Sequence, residues 1–418
     1  MPMRRFRDLA FARIIEGAAG TSSAPPGAGQ QPDVAGLPQR DAIAEALGLE
    51  RYPLVDLRAD LGEALVERER TLVIESMNAV REVIRLRARN KDNIGRGDHA
   101  KPLGCYVADF TVSPPDVVAA DDQAGIAARG NLGRTFPAIV RFSNSEPKDV
   151  IDFRSATVGL AIKVKLDPAE HPNKEFLFDA GTEQDFVAGG LDTFVSRNII
   201  DYADLFRLRI HPLANALTII DRHPEAFEVF GKAPLRRLFS LSSGTAPMVL
   251  EKRFSSLLPY AWGNAAVKYR FEPCHAFDRS NATFSRFDDN YQAKVVTEFL
   301  KSHDICYVMK IQARPRPGSD DERSLIDRTF PIEDAMACWP EPGAEKEFPG
   351  AQFREVARVR IKSGTRAMDD RACERLAFNP WNGLKAHQPL GSLSRARLAV
   401  YKASELARNE LYKAAPAQ

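Results

Sequence analysis

The chain has 418 residues, 44% hydrophobic and 27% charged, which is ample for a large core in one or two domains. Its formal net charge is only +2 and its arginines are interleaved with acids, so a nucleic acid or other polyelectrolyte partner is excluded. No apolar run is long enough to span a bilayer, and the N-terminus lacks a signal-peptide core, so a cytoplasmic protein is expected.

Near the N-terminus, MPMRRFRDLAFARII is Arg-rich, but Asp8 and Glu16 count against a transit peptide. Residues 20–37 are rich in Gly, Pro, Ser and Gln and read as a mobile tether. Cys105, Cys274, Cys306, Cys338 and Cys373 are odd in number, widely spaced and form no CxxC pair. They read as reduced thiols of a cytosolic protein, not as a disulfide frame or zinc site.

Residues 58–90 are charged with spaced Leu, Val and Ile, the pattern of one long helix or two shorter ones. Gly95 and Gly97 break it, and CYVADFTV alternates towards a strand, which leaves His99 at a loop-to-strand junction. A lone His is ordinarily structural. Asp98 precedes it, and in an extended segment neighbours face opposite ways, so Asp98 is expected to point away.

FPAIVRFSNS (136–145) reads as a buried strand in which Arg141 and Ser143, two apart, share a face. An arginine on the inner side needs an anionic partner; the alternative is an arginine facing solvent. TVGLAIKV (157–164) is the next strand. Between Asn173 and Asn198 there is no Asn, and Phe194 and Tyr202 read singly as ordinary aromatic core.

Residues 199–240 have helical spacing punctuated by Pro212, Pro224 and Pro234. AAVKYRF and ICYVMKIQARPRP are strands, YQAKVVTEFLKS is a helix, and 315–329 reads as a loop of mixed charge. Alternating strands of six to ten residues separated by helices suggest an antiparallel sheet closing on itself.

The C-terminal SLSRARLAVYKASELAR (392–408) has no internal Gly or Pro and is rich in helix formers. Arg397, Tyr401 and Arg408 fall within roughly 40° of one another on its surface, at about 100° per residue. One reading is a solvated face with a Tyr at rest on it. The other is a phenolate ligand, since an Arg one turn before a Tyr favours loss of the phenol proton and a second Arg two turns on binds a carboxylate.

Arg-x-x-x-Tyr followed seven residues on by Arg resembles the proximal haem helix of catalases. FNPW…HQPLGSLSRARLAVY is more closely similar to the single-domain, catalase-related haem proteins. Tyrosine is the axial haem ligand in catalase. The resemblance implies an α+β fold: an eight-stranded antiparallel catalase-like barrel with helices outside and a C-terminal haem-ligand helix. It also implies haem b as cofactor, with Tyr401 as the axial iron ligand, Arg397 holding it ionised and Arg408 on a propionate.

Arg96-x-x-His99 resembles the distal motif, which makes His99 the acid–base group and Arg96 a propionate partner. Arg-Phe-Ser is the family signature that follows, with Arg141 on a propionate and Ser143 on His99. Phe194 and Tyr202 become candidates to pack on the haem face. Two departures stand out: Val158 replaces a usual Arg, and Gly190 falls at or near the usual distal Asn.

The expected organisation is an N-terminal extension over 1–55, partly flexible, and a haem-binding domain over 56–418. The implied function is reduction or decomposition of hydrogen peroxide or organic hydroperoxides, with weak oxygen evolution and, through the small Gly190, room for a larger substrate. The rivals are rearrangement of fatty-acid hydroperoxides, as in catalase-like allene oxide synthases, and a non-catalytic haem-binding protein. The implied partner is the small-molecule peroxide, with homo-oligomerisation left open.

Overall fold

A computed structural model describes residues 48–88, 94–145, 151–152, 157–167, 169, 175–178, 181–210, 248–278, 288–340 and 352–414. The expected tether at 20–37 and the helical segment beyond residue 210 lie outside them.

Nine strands alternate with six helices among the described residues. The strands are β1 (Lys101–Val112), β2 (Thr135–Asn144), β3 (Val158–Lys165), β4 (Glu183–Gly189), β5 (Phe254–Ser255), β6 (Tyr260–Trp262), β7 (Ala265–Pro273), β8 (Ile305–Ala313) and β9 (Phe353–Ile361). The helices are α1 (Glu69–Arg87), α2 (Ile199–Ile210), α3 (Tyr291–Phe299), α4 (Asp320–Thr329), α5 (Asp370–Arg375) and α6 (Ser392–Ala414). All strand pairings are antiparallel, in the order β5-β4-β3-β2-β1-β9-β8-β7-β6, and β5 also pairs with β7. Because β5 and β6 occupy successive stretches of one edge of β7, the sheet closes as an eight-stranded barrel.

Side chains fill the barrel. Phe110 on β1 stacks on Phe186 on β4 at 5.7 Å, and Phe142 on β2 meets Tyr307 on β8 at 6.1 Å, contacts across strands that are not neighbours. Removing the Phe186 ring, which also touches Tyr269 and Phe271, costs about 3–5 kcal/mol. With Phe142 pointing in, the period of two turns Arg141 and Ser143 to the outer face. That corrects the inner-side expectation, yet both are buried, because helices cover this wall.

The covering layer is a second apolar cluster of α1, α2 and α6, including Met77, Val80, Tyr202, Phe206, Ala396, Val400 and Ala403. Leu49 and Tyr52 join it. The start of α6 is fixed by charge. Glu63 accepts from the Gly391 N–H at 2.7 Å and Glu333 from the Ser392 N–H at 2.7 Å. Arg395 is gripped by Glu63 and by Glu69 at 2.7 Å, all three side chains being at most 2% exposed.

Three expectations change. Residues 320–329 form a helix, not a loop: Ser319 Oγ accepts from the Glu322 N–H at 3.3 Å, and three acids occupy the first turn. Within 58–90 the α-helix begins only at Glu69, after a short 3-10 turn at Ala59–Leu61. The cysteines are not all reduced, since Cys105 bonds Cys373 and Cys274 bonds Cys306, leaving Cys338 free. The first pair is 268 residues apart in sequence, a proximity that only the docking of α5 on β1 creates. No helix among the described residues is long and apolar enough to cross a membrane.

Candidate active site

A cavity of about 540 Å³ lies between the outer face of β2–β4 and the helices α1, α2 and α6. His99, Arg96, Arg141, Ser143, Phe194, Tyr202, Arg397, Tyr401 and Arg408 all line it. The chain therefore brings these nine candidate site residues together, from segments some 300 residues apart.

The barrel wall is shaped by glycine. Ser143, Gly159 and Gly189 stand in one row across β2, β3 and β4. A Cβ at Gly159 would lie 2.7 Å from His99 Nδ1 and 2.8 Å from Ser143 Oγ, so its absence makes the recess that holds this pair. Gly97 does the same one loop earlier, where a Cβ would run into Val80 of α1.

His99 is not in an extended segment. It sits in a bend with φ of +49°, so strand alternation does not govern Asp98, which is exposed yet still borders the cavity. The Arg141 guanidinium donates to the His99 carbonyl at 3.1 Å and holds this backbone. Ser143 Oγ lies 3.4 Å from His99 Nδ1 and donates to the Gly159 carbonyl at 3.3 Å. With its proton so used, the hydroxyl accepts from Nδ1–H, and Nε2 carries the lone pair.

On the helical wall, Arg397 Nη2 donates to the Tyr401 hydroxyl at 2.9 Å. Arg397 is 4% exposed, and the largest charge interactions it has are with the phenols Tyr401, Tyr260 and Tyr202. Burial disfavours its charge, but attraction to Tyr401 and Tyr260 outweighs this and raises its pKa. A buried guanidinium whose neighbours are phenols is neutralised when one phenol ionises. Tyr260 is fully sequestered and pushed up by burial, whereas Tyr401 opens on the cavity.

At the far end of the cavity the arginines converge on one short segment. Arg96 donates to the Leu376 carbonyl at 2.7 Å, Arg408 to the Glu374 carbonyl, and Arg141 to the Glu374 carboxylate at 3.3 Å. Arg141 is ion-paired to the Glu374 carboxylate, whose charge also acts on Arg96 and Arg408. Burial and the mutual repulsion of Arg141 and Arg408 push Arg96 well down, and burial lowers Arg408 despite Glu374. The Nε atoms of Arg96, Arg141 and Arg408 are buried without a hydrogen-bond partner among the described residues. Sequence reasoning missed Glu374 and α5, since a single acid in a charged stretch carries no signal.

Gly190 borders the cavity but does not leave room for a larger substrate. A Cβ there would meet the Val158 carbonyl at 3.1 Å and Lys252 at 3.2 Å, and its N–H is bonded to Val158 at 2.8 Å. Among the described residues the one side-chain amide on the cavity wall is Asn379, from FNPW. Its Oδ1 accepts from the Trp381 N–H at 3.1 Å, and its own N–H donates to buried Asp185 at 2.9 Å. Phe194 and Tyr202 meet edge to face at 5.7 Å on the wall below Arg397.

No family model and no curated protein matches the chain. Among solved structures it is similar to a fungal catalase, at 18% identity and a TM-score of 0.56 over 78% of this chain and 61% of that one. Catalase A from Saccharomyces cerevisiae matches at 15% identity and 0.53, over 78% and 63%. A bacterial catalase matches at 16% and 0.53, over 96% and 69%. The chain thus spans less than two thirds of the fungal and yeast proteins. A closed barrel, an outer-face cavity under a C-terminal helix and these three likenesses together establish that the chain has the catalase fold.

Proposed function

We propose that the chain is a haem-dependent oxidoreductase that reduces or decomposes hydrogen peroxide or organic hydroperoxides. The observation that carries this is the buried Arg397–Tyr401 pair, sharing a cavity with the His99–Ser143 pair. The donor set fits haem: a cavity-facing phenol that accepts from a buried guanidinium can serve as a ligand to its iron, and the buried Nε–H groups of Arg96, Arg141 and Arg408 suit a ligand with two carboxylates.

When bound, haem supplies the iron at which an O–O bond is broken. Tyr401, which accepts a hydrogen bond from Arg397, would be the residue that holds the iron, and Arg96, Arg141 and Arg408 would hold the acidic groups of the cofactor. His99 Nε2 takes the proton from the hydroperoxide and returns it to the leaving oxygen, while Ser143 fixes the tautomer. Phe194 and Tyr202 supply apolar wall. With no Asn between 173 and 198, oxygen evolution is the weaker activity.

Leu191, Val195, Leu205 and Leu257 line the same cavity and favour, as a second reading, rearrangement of an organic hydroperoxide. The test is haem titration of the purified protein followed by turnover of hydrogen peroxide and of a fatty-acid hydroperoxide, with product analysis. Tyr401→Phe is expected to abolish the tyrosinate charge-transfer band. A protein that takes up no haem, or a variant with an unchanged spectrum, rules the proposal out.

A further inference from the structure

Among the described residues three that are not glycine take a positive φ, namely Arg68, His99 and Leu257, and both His99 and Leu257 line the cavity. Leu257 stands at φ +65° in the connection between β5 and β6. Its neighbours hold it there. The buried Ser256 donates its N–H to the Tyr269 carbonyl at 2.8 Å. The Ser256 hydroxyl accepts from the Tyr269 N–H at 3.2 Å and donates to the Leu258 carbonyl at 2.7 Å. Leu258 is sunk in the second apolar cluster, and the Pro259 carbonyl accepts from the Leu390 N–H at 2.9 Å. A glycine would make this left-handed turn freely, whereas the Cβ of a leucine is strained in it. Strained backbone of this kind clusters at active sites and ligand clamps.

The Leu257 side chain lies on the barrel wall of the cavity. A Cβ at Gly189 would stand 2.9 Å from Leu257 Cδ1, just as one at Gly159 would stand 2.7 Å from His99 Nδ1. Gly159 and Gly189 are directly opposed across β3 and β4. Opposed residues of neighbouring strands lie about 5 Å apart, so the isobutyl group and the imidazole occupy adjoining notches in one glycine row. One notch presents a ring nitrogen, the other only methyl groups. Hydrogen peroxide is polar at both oxygens and matches the first notch alone. A hydroperoxide R–O–O–H matches both, with its O–H at His99 and its carbon at Leu257. Leu191, Val195 and Leu205 extend the apolar lining.

We infer that Leu257 is a specificity-determining residue, holding the hydrocarbon group of an organic hydroperoxide beside His99 and favouring that class over hydrogen peroxide. The inference deepens the proposed function and rests on it.

The experiment compares cumene hydroperoxide with hydrogen peroxide on the haem-loaded full chain, with guaiacol as the reductant for both, in the wild type and in Leu257→Gly. Glycine accepts the left-handed backbone and removes the contact. The ratio of kcat/KM for cumene hydroperoxide to that for hydrogen peroxide is expected to fall about tenfold, the scale of a small apolar group lost from a pocket. The loss should appear in KM, as for an interaction made equally in the bound and transition states. A second readout is independent of turnover. Calorimetric titration with cumyl alcohol, the product left once the O–O bond is reduced, should show affinity weakened by a similar factor. Leu257→Asn also tolerates a positive φ and puts an amide in place of the methyl groups. It should move the ratio in the same direction, and it carries the test if the glycine variant does not fold.

If the wild type takes up no haem or turns over neither peroxide, the proposed function fails and takes the inference with it. If turnover stands but the ratio stays within twofold of the wild type in the folded variants, the specificity role alone is overturned. An unchanged affinity for cumyl alcohol overturns it too. So does an equal loss for both peroxides, which marks general loosening of the wall.

Discussion

Gly159→Ala tests the distal wall without replacing any residue given a chemical role. The added methyl would stand 2.7 Å from His99 Nδ1 and 2.8 Å from both His99 Cε1 and Ser143 Oγ. Ordinary contact begins near 3.4 Å, so the imidazole must retreat by roughly 0.7 Å or the strand must bend. The strand is held on both edges, by Ser143 on β2 and Gly189 on β4, and the ring is the softer element. A displacement of this size lengthens the Ser143–His99 contact, already 3.4 Å, beyond hydrogen-bonding range. A misplacement near 1 Å in an acid–base group costs on the order of a hundredfold in rate. The expected outcome is kcat/KM for a hydroperoxide down by about this factor, with haem affinity retained, since the arginine cluster and Tyr401 are elsewhere. Stopped-flow turnover and haem titration on the same sample measure both. Turnover within twofold of wild type would show that His99 does not move the proton.

Arg395→Met leaves Glu63 and Glu69 buried without their cation and is expected to cost about 3–5 kcal/mol, read as the urea midpoint. Reduction or Ser substitution of Cys105–Cys373, which closes a loop of 268 residues, should cost up to about 5 kcal/mol and also weaken haem loading. Haem loading suffers because residues 373–376 accept from Arg96 and bind Arg141 and Arg408; loss of Cys274–Cys306 should lower stability alone. His387 is buried, accepts from the Ile126 N–H at 2.9 Å, and is pushed down to about 3 by burial. Its folded pKa lies below the unfolded value, so the unfolded chain binds the extra proton as pH falls from about 6.5 towards 3, and about 2 kcal/mol is lost by pH 5. His387→Gln should flatten acid unfolding in that window; an unchanged acid midpoint would refute the assignment.

The sequence was most legible where chemistry and local geometry coincide. The stripe of Arg397, Tyr401 and Arg408 needs only helical periodicity, and Arg141 with Ser143 only the period of two. What stayed hidden depends on closure of the barrel. Alternation says that Arg141 and Ser143 share a face, but not whether it is inside the barrel or under the helices. The recess at Gly159 exists because His99 arrives there from 60 residues away. The same holds for the role of Glu374 and for both disulfides. Helix α4 was legible and missed: Ser319 and Glu322 form the S-x-x-E pattern of an N-terminal cap.

The cavity holds arginine at two ends, and the spacing of the two ends limits what can satisfy both. At one end Arg397 donates to the hydroxyl of the cavity-facing Tyr401. Arg96, Arg141 and Arg408 lie about one buried carboxylate, Glu374, with Asp98 and Glu405 on the less buried part of the cavity wall. Tyr401 and Arg408 both sit on α6, seven residues apart and so about 10 Å along its axis. A small anion reaches only the arginine end, and an apolar ligand satisfies neither. On the proposed reading, a ligand with a Lewis-acidic centre and two acidic groups would meet the Tyr401 hydroxyl at one end and the arginines at the other. The Tyr401 phenol and the His99 imidazole line the same cavity, so on the proposed reading one bound ligand would lie between them.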